Sequence, residues 1–376
     1  MVTVFVKAAV GADRPIIQAL VFVGLLAIVL GSAGEALAAD EARVGRDHRR
    51  ALSPRHPVLL CNPWSGGGKV GRFGLVELAG QLGIETVMLD EGLDLEELAR
   101  GAVARGADCL GMAGGDGSQA LVASIAVEHG LPFVCVTAGT RNHFALDLGL
   151  DRADPRQCLR AFGDAVERRV DYATVNGRFF VNNVSLGAYA TIVQQEQYRD
   201  AKVETSTSLL PGLLGDADAP FDLQFTDPDG VEIDGAFVIQ VSSNPYVLDP
   251  SPDLSQRRSL DSGLLGVFAV TGASGSAAAA IAALSVVGQR RRSPDWHEFT
   301  TRSFEVRSRS GHAFAGVDGE ALALDTPLRF EAHHGGLRLL VPRDNLVVAE
   351  RRRVRQARLR DLISVARGAT PRIGVG

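Results

Sequence analysis

From Pro57 onward, short apolar runs alternate with amphipathic stretches. "VLLCNP", "IETVMLD", "ADCLGMAG" and "LPFVCVTAG" are continuous apolar runs of strand length, whereas "GLVELAGQLG", "DLEELARGAVARG" and "SQALVASIAVEHG" carry apolar residues at helical spacing. Strands alternating with helices predict a parallel sheet covered on both faces. "DPRQCLRAFGDAV" reads as one more helix closing this set. After about Arg168 the period shortens to two. "RRVDYATVNGRFFVNNVSLG" places Asn176 and Gly177 between two β-rich runs, a strong hairpin signal. "FDLQFTDPDGVEIDGAFVIQVSS" and "FTTRSFEVRSRSGHAFAGVDGEALAL" read as further antiparallel pairs, with a helical interruption at 274–288. "PLRFEAHHGGLRLLVP" reads as a last hairpin turned at Gly335 and Gly336, which places His333 and His334 on the surface.

The expected organisation is therefore a segment 1–56, an α/β domain 57–170, a mainly β domain 171–325, a hairpin 326–350 returning toward the first domain, and a basic tail 351–376. The 376 residues suffice for two cores, and 46% apolar with 22% charged residues is a globular composition. A net charge of -5 speaks against a dedicated nucleic-acid binder, which concentrates Lys and Arg on one face. Cys61, Cys109, Cys135 and Cys158 stand apart in apolar surroundings without a CxxC pair, and read as reduced core residues.

The first forty residues hold an apolar run from 15 to 30, Lys7 and Arg14 upstream, and a small-residue "ALA" at 36–38. A membrane anchor, a secretory signal and a start of translation further downstream all remain open. Arg43, Arg46, Arg49, Arg50 and Arg55 outnumber the two upstream cations, which for an anchor puts the body of the chain on the cytoplasmic face. The tail, with Val354, Leu359, Leu362, Ile363 and Val365 among its arginines, reads as a surface helix or as a basic segment touching anionic headgroups. The cluster 290–292 reads as a solvated helix end.

Chemistry concentrates in three polar, glycine-bearing loops, each following a strand, and ligands of open α/β sheets bind at that edge. "NPWSGGGKVGR" follows the first strand. It is not a Walker loop, since Pro63 stands where that motif needs Gly and Val70 where it needs Ser or Thr, yet its backbone N–H groups suit phosphate. "AGGDGSQALV" follows the third. Gly115, Gly117 and Ala120 match GxGxxA, but the turn comes third rather than first and the ribose-binding acid is missing, so the dinucleotide reading fails. An aspartate inside a glycine turn makes chemical sense where a divalent metal or a proton-donating hydroxyl meets it. "TAGTRNHFALDLGL" follows the fourth and brings Thr137, Thr140, Asn142 and Arg141 to the same edge.

In this order and spacing, "NPWSGGGK", "GGDGS" and "GTRNHFALDLGL" resemble the diacylglycerol kinase catalytic domain family of diacylglycerol, sphingosine and YegS-like lipid kinases. "SLDSGLLGVFAV" and "AGVDGEAL" resemble the family's later segments, so the likeness runs over about residues 57–345. It implies an α/β plus β fold: an N-terminal parallel α/β nucleotide-binding domain followed by an antiparallel β-sandwich domain, with the active site in the cleft between them. It further implies ATP and Mg2+, with Asn62, Ser65, Gly66, Gly114, Gly115, Gly117, Thr140 and Asn142 around the nucleotide. Asp116, Asp318 and Glu320 become the catalytic acids and Asp261 a ligand of structural magnesium. The implied partners are a lipid substrate, most plausibly diacylglycerol, and the membrane surface, with a homodimer as an assembly and no nucleic acid. The sequence departs from the family pattern at Ser118, Leu121, His143 and Leu146, the last three standing where acid, acid and base are usual. Those departures leave open a catalytically silent lipid- or nucleotide-binding protein, and the GGDG motif, shared with NAD kinases, leaves open a soluble kinase of that kind.

Overall fold

The computed structural model describes residues 51–187, 222–246, 257, 259–271 and 293–343, all within the compact unit Arg50–Ala349. The apolar amino terminus, the basic tail, the helix expected at 274–288 and the cluster 290–292 lie outside the described residues.

The parallel half follows the apolar runs. β1 (Pro57–Cys61), β3 (Cys109–Ala113) and β4 (Phe133–Val136) are buried throughout, as strands covered on both faces must be, and β2 (Glu85–Met88) pairs outside β1. Between them run α1 (Ser65–Arg72), α2 (Leu75–Gln81), α3 (Leu95–Ala104) and α4 (Asp116–Glu128). Asp94 caps α3 by accepting from the amides of Glu96 at 2.6 Å and Glu97 at 3.3 Å, a contribution of about 1 kcal/mol. α4 begins two residues earlier than its apolar spacing indicated, so Asp116 stands in its first turn. The segment 154–166 gives a 3-10 helix, Pro155–Phe162, after α5 (His143–Asp147).

The remaining strands are antiparallel to one another. β5 (Ala165–Val175) turns at Asn176 and Gly177, both with positive φ, into β6 (Arg178–Phe180), as the dipeptide predicts. β7 (Asn183–Gly187), β8 (Leu223–Thr226), β9 (Glu232–Ser243), β10 (Leu265–Thr271) and β11 (Trp296–Thr301) follow, then β12 (Ser303–Ser308), β13 (His312–Val317) and β14 (Glu320–Asp325). β8 pairs with β9 and β13 with β14, whereas β11 pairs back onto β10, and β12 joins β8 to β15 (Leu328–Pro342).

β15 corrects the expected last hairpin. It is a single strand paired antiparallel with β5 along its length, its register shifting between His333 and Leu337. Gly335 and Gly336 form a bulge because Asp171 captures the Gly335 amide at 2.7 Å, and the Tyr172 ring leaves no room for a side chain at Gly336. His333 is accordingly half-buried and stacks on Tyr172 with ring centroids 4.5 Å apart. At Leu339 the same strand pairs parallel to Phe133 of β4, so one ladder runs from the parallel strands into the antiparallel ones. Two buried apolar clusters flank this junction, one around β1, β3, β4 and α4, the other around β7, β9, β10 and β13.

Candidate active site

The three glycine-bearing loops meet through backbone. Gly66, Gly67 and Gly68 interrupt α1 with φ of 58°, 69° and 78°, a left-handed run that only glycine adopts cheaply. A Cβ on Gly66 would collide with the Ala138 carbonyl oxygen of the loop after β4. A Cβ on Gly139 would come within 2.6 Å of the Gly115 Cα and 2.9 Å of the Gly114 oxygen. Lys69 adds a cationic tie, donating to the carbonyls of Gly139 at 3.1 Å and Arg152 at 2.9 Å. Burial pulls its ammonium below the usual range, with the Arg152 charge adding to that shift.

Asn142, with φ 46° and fully buried, donates from Nδ2 to the Gly114 carbonyl at 2.9 Å. Its Oδ1 is buried with no protein partner. Asn62 accepts from the Trp64 amide at 3.1 Å and donates its own amide to the Ala113 carbonyl, which shapes the entry to α1. Ser65 is half-buried at its start. Thr140 is exposed. Thr137 is sealed in, its hydroxyl donating to the Asp151 carbonyl at 2.7 Å, so it closes the loop rather than facing a ligand.

Asp116 is half-buried and accepts from the amides of His143 and Phe144 at 3.3 and 3.4 Å and from Asn182 Nδ2 at 3.4 Å. The sequence reading left Asn182 aside. Its only local signal is the Asn-Asn pair that follows β6.

Asp318 lies in the β13–β14 turn with φ 45° and is 8% exposed. Its carboxylate accepts from the amides of Val181, Asn182 and Asn183 at 2.9, 2.8 and 3.1 Å. Burial pushes it up to about 7, the three amides oppose that, and the charge of Asp116 adds to it. Two residues on, Glu320 is exposed, bonded to Arg178 at 3.0 Å, and its carboxylate lies where a Cβ of Gly117 would stand, 2.5 Å away. That places a negative charge at the amino end of α4, where the helix dipole favours it.

The structure thus brings Asp116, Gly117, Asn142, Asp318 and Glu320 together and sets Gly66, Gly114 and Gly115 beside them. Asp261 stands apart: it is exposed before β10, and its hydrogen bonds run to the Ser259 hydroxyl. Among the described residues no group of three His, Cys, Asp or Glu that could hold a metal ion occurs. A cavity of about 550 Å³ lies elsewhere, between β8, β11, β12 and β15, lined in part by Phe225, Phe299, Phe304 and Phe330. The four cysteines are buried and free, as expected of core residues. No described helix is long and apolar enough to cross a membrane.

Residues 56–175 match the family model described as diacylglycerol kinase catalytic domain. Proteins named "probable lipid kinase YegS-like" from Xanthomonas euvesicatoria pv. vesicatoria (strain 85-10) and Xanthomonas axonopodis pv. citri (strain 306) are each 28% identical over 257 residues, covering 64% of this chain and 81% of theirs. A solved diacylglycerol kinase structure from Bacillus anthracis str. Sterne aligns over 77% of this chain and 98% of its own, with a TM-score of 0.54 and 17% identity. At that identity the likeness is one of fold. Residues 56–175 thus resemble a diacylglycerol kinase catalytic domain, and the chain is similar to YegS-like lipid kinases over 64% of its length.

Proposed function

We propose that the chain transfers the γ-phosphate of ATP to a lipid hydroxyl, with diacylglycerol as acceptor. Likeness to lipid kinases supports lipid phosphorylation in general. The observation that carries the reading to residues is the meeting of three glycine loops, joined backbone to backbone, with Asp116 and Glu320 at the amino end of α4. Phosphoryl transfer asks a protein mainly for alignment and for donors around the phosphate.

The first amides of α4, which have no intrahelical acceptor, and the glycine backbone of the Gly66, Gly67, Gly68 turn suit phosphate oxygens. The orphaned Oδ1 of Asn142 fits a bound nucleotide, since an unpaired buried acceptor costs about 1–3 kcal/mol until a donor reaches it. Magnesium fits as well: it is usually held by one or two carboxylates plus substrate phosphates, and Asp116 and Glu320 are the carboxylates on hand. Bound there, it would neutralise charge on the phosphates. Asp116, oriented by three donors, accepts the proton of the lipid hydroxyl as the hydroxyl oxygen bonds to the γ-phosphorus and the bond to ADP breaks. Asp318 keeps its lone pairs on the 181–183 amides and serves to hold that segment.

The test is transfer of labelled γ-phosphate by the full chain to a panel of diacylglycerol, monoacylglycerol, a sphingoid base and NAD. Label is expected in extracted diacylglycerol, falling by about 10³-fold in Asp116→Asn. Label appearing in NAD, or in no acceptor, overturns the reading, and unchanged turnover in the variant removes Asp116 from the chemistry.

A further inference from the structure

Arg257 is 2% exposed and spends its donors on three separate pieces of chain. Its Nε donates to Asp147 Oδ2 at 2.7 Å and its backbone amide to Asp147 Oδ1 at 3.1 Å, at the end of α5. Nη1 reaches the carbonyls of Val181 at 2.5 Å and Ser243 at 2.7 Å, and Nη2 reaches Asn182 Oδ1 at 3.3 Å. The Tyr246 ring lies against the guanidinium, 5.8 Å from its centroid.

Polarity makes this more than packing. A guanidinium can only donate, so the oxygen of the Asn182 amide must face Arg257 and its NH2 group must face the other way. The other way is Asp116, whose ionised carboxylate can only accept, 3.4 Å from Asn182 Nδ2. With Arg257 absent, the amide loses the donor that fixes its oxygen, and the flipped form, which sets oxygen against oxygen at the reacting carboxylate, is opposed from the Asp116 side only. We infer that Arg257 is a positioning residue: it fixes the amide of Asn182 so that Asp116 is held in one orientation, while its pair with Asp147 fixes α5, whose first amides hold the other side of the same carboxylate. The proposal rests on the kinase reading for Asp116 but concerns residues outside the sequence motifs.

The test compares Arg257→Met, Arg257→Lys, Asn182→Leu and the double variant Arg257→Met/Asn182→Leu, in the full chain and below each variant's Tm. Arg257→Met and Asn182→Leu are each expected to lower kcat about tenfold or more with KM for ATP within about twofold, and the double variant to be no slower than the slower single. Arg257→Lys keeps the charge toward Asp147 but loses the fork to Asn182, so it too should be slow, and it carries the test if the methionine variant does not fold. Wild-type kcat in either folded Arg257 variant, or losses that multiply in the double variant, overturns the inference. If the wild type transfers phosphate to no acceptor, the kinase reading fails separately. Crystal structures of wild type and Arg257→Lys then decide: an Asp116–Asn182 contact kept in the variant refutes the positioning role, and its loss upholds it.

Discussion

The two sides that meet at Asp116 are joined by different forces. On the side of the parallel sheet, the loops after β1, β3 and β4 touch through backbone, with Gly66 on the Ala138 carbonyl and Gly139 on the Gly115 Cα. On the other, the 181–183 segment and the β13–β14 turn come in through buried polar and charged side chains: Asp318 on three amides, and Arg257 between Asp147 and Asn182. A backbone contact tolerates no added atom. A buried ion pair tolerates no missing partner, since desolvation has already been suffered and only the pairing offsets it. The first side should therefore fail when something is added and the second when something is taken away.

The largest effect is expected on the second side. Asp147→Ala leaves the Arg257 guanidinium buried without its carboxylate and should lower unfolding free energy by about 3–5 kcal/mol, whereas Asp147→Leu together with Arg257→Met should recover most of that loss. Urea midpoints at unchanged m-value measure both. A single variant as stable as wild type would show that charge is not what holds this side. Next comes Gly139→Ala, where the new methyl meets Gly115 Cα and the Gly114 oxygen, both backbone, and Asn142 Nδ2, which is tied to the Gly114 carbonyl. Parting the loops by about 1 Å should lower kcat by about 100-fold, more than the loss in stability would suggest. Full activity in that variant would mean that the loops are looser than their contacts indicate.

The same contrast explains what the sequence disclosed. The glycine loops are local: strand, turn and helix follow one another directly along the chain, so apolar runs and Gly placement made β1, β3, β4 and their loops legible. Asp318 and Glu320 became legible only through the family resemblance, because a DGE turn alone also describes a solvated hairpin. Arg257 carried no local signal, and Asn182 only the Asn-Asn pair it forms with Asn183. Their roles depend on partners 75 and 66 residues away along the chain, Asn182 for the first and Asp116 for the second. The misread hairpin at Gly335 and Gly336 has the same origin. Two glycines between β-rich runs normally turn a chain, and only the long β5 partner, with Asp171 drawing in the Gly335 amide, keeps β15 going straight.

The smallest effect sharpens the comparison most, because it reports how Asp318 and Asp116 sense each other. With its carboxyl pushed up to about 7 by burial and by Asp116, Asp318 binds a proton in the folded state at pH values where the unfolded chain, near its ordinary value of about 4, has released it. Stability from this group is then full below about pH 4 and is lost as pH rises through about 7. Asp318→Asn removes that dependence, so the Tm of the variant should gain on wild type between about pH 4 and pH 7 and keep a constant difference above about pH 8. Asp116→Asn removes the like charge, which lowers the Asp318 carboxyl and should move the wild-type decline to lower pH. A Tm series on the three proteins measures both shifts. A wild-type curve parallel to that of Asp318→Asn at every pH would mean that the three amides fully offset burial and the Asp116 charge, so that Asp318 titrates alike in the folded and unfolded states. The turn would then be held by charge-assisted hydrogen bonds alone, and the two sides of the site would not communicate through these carboxylates.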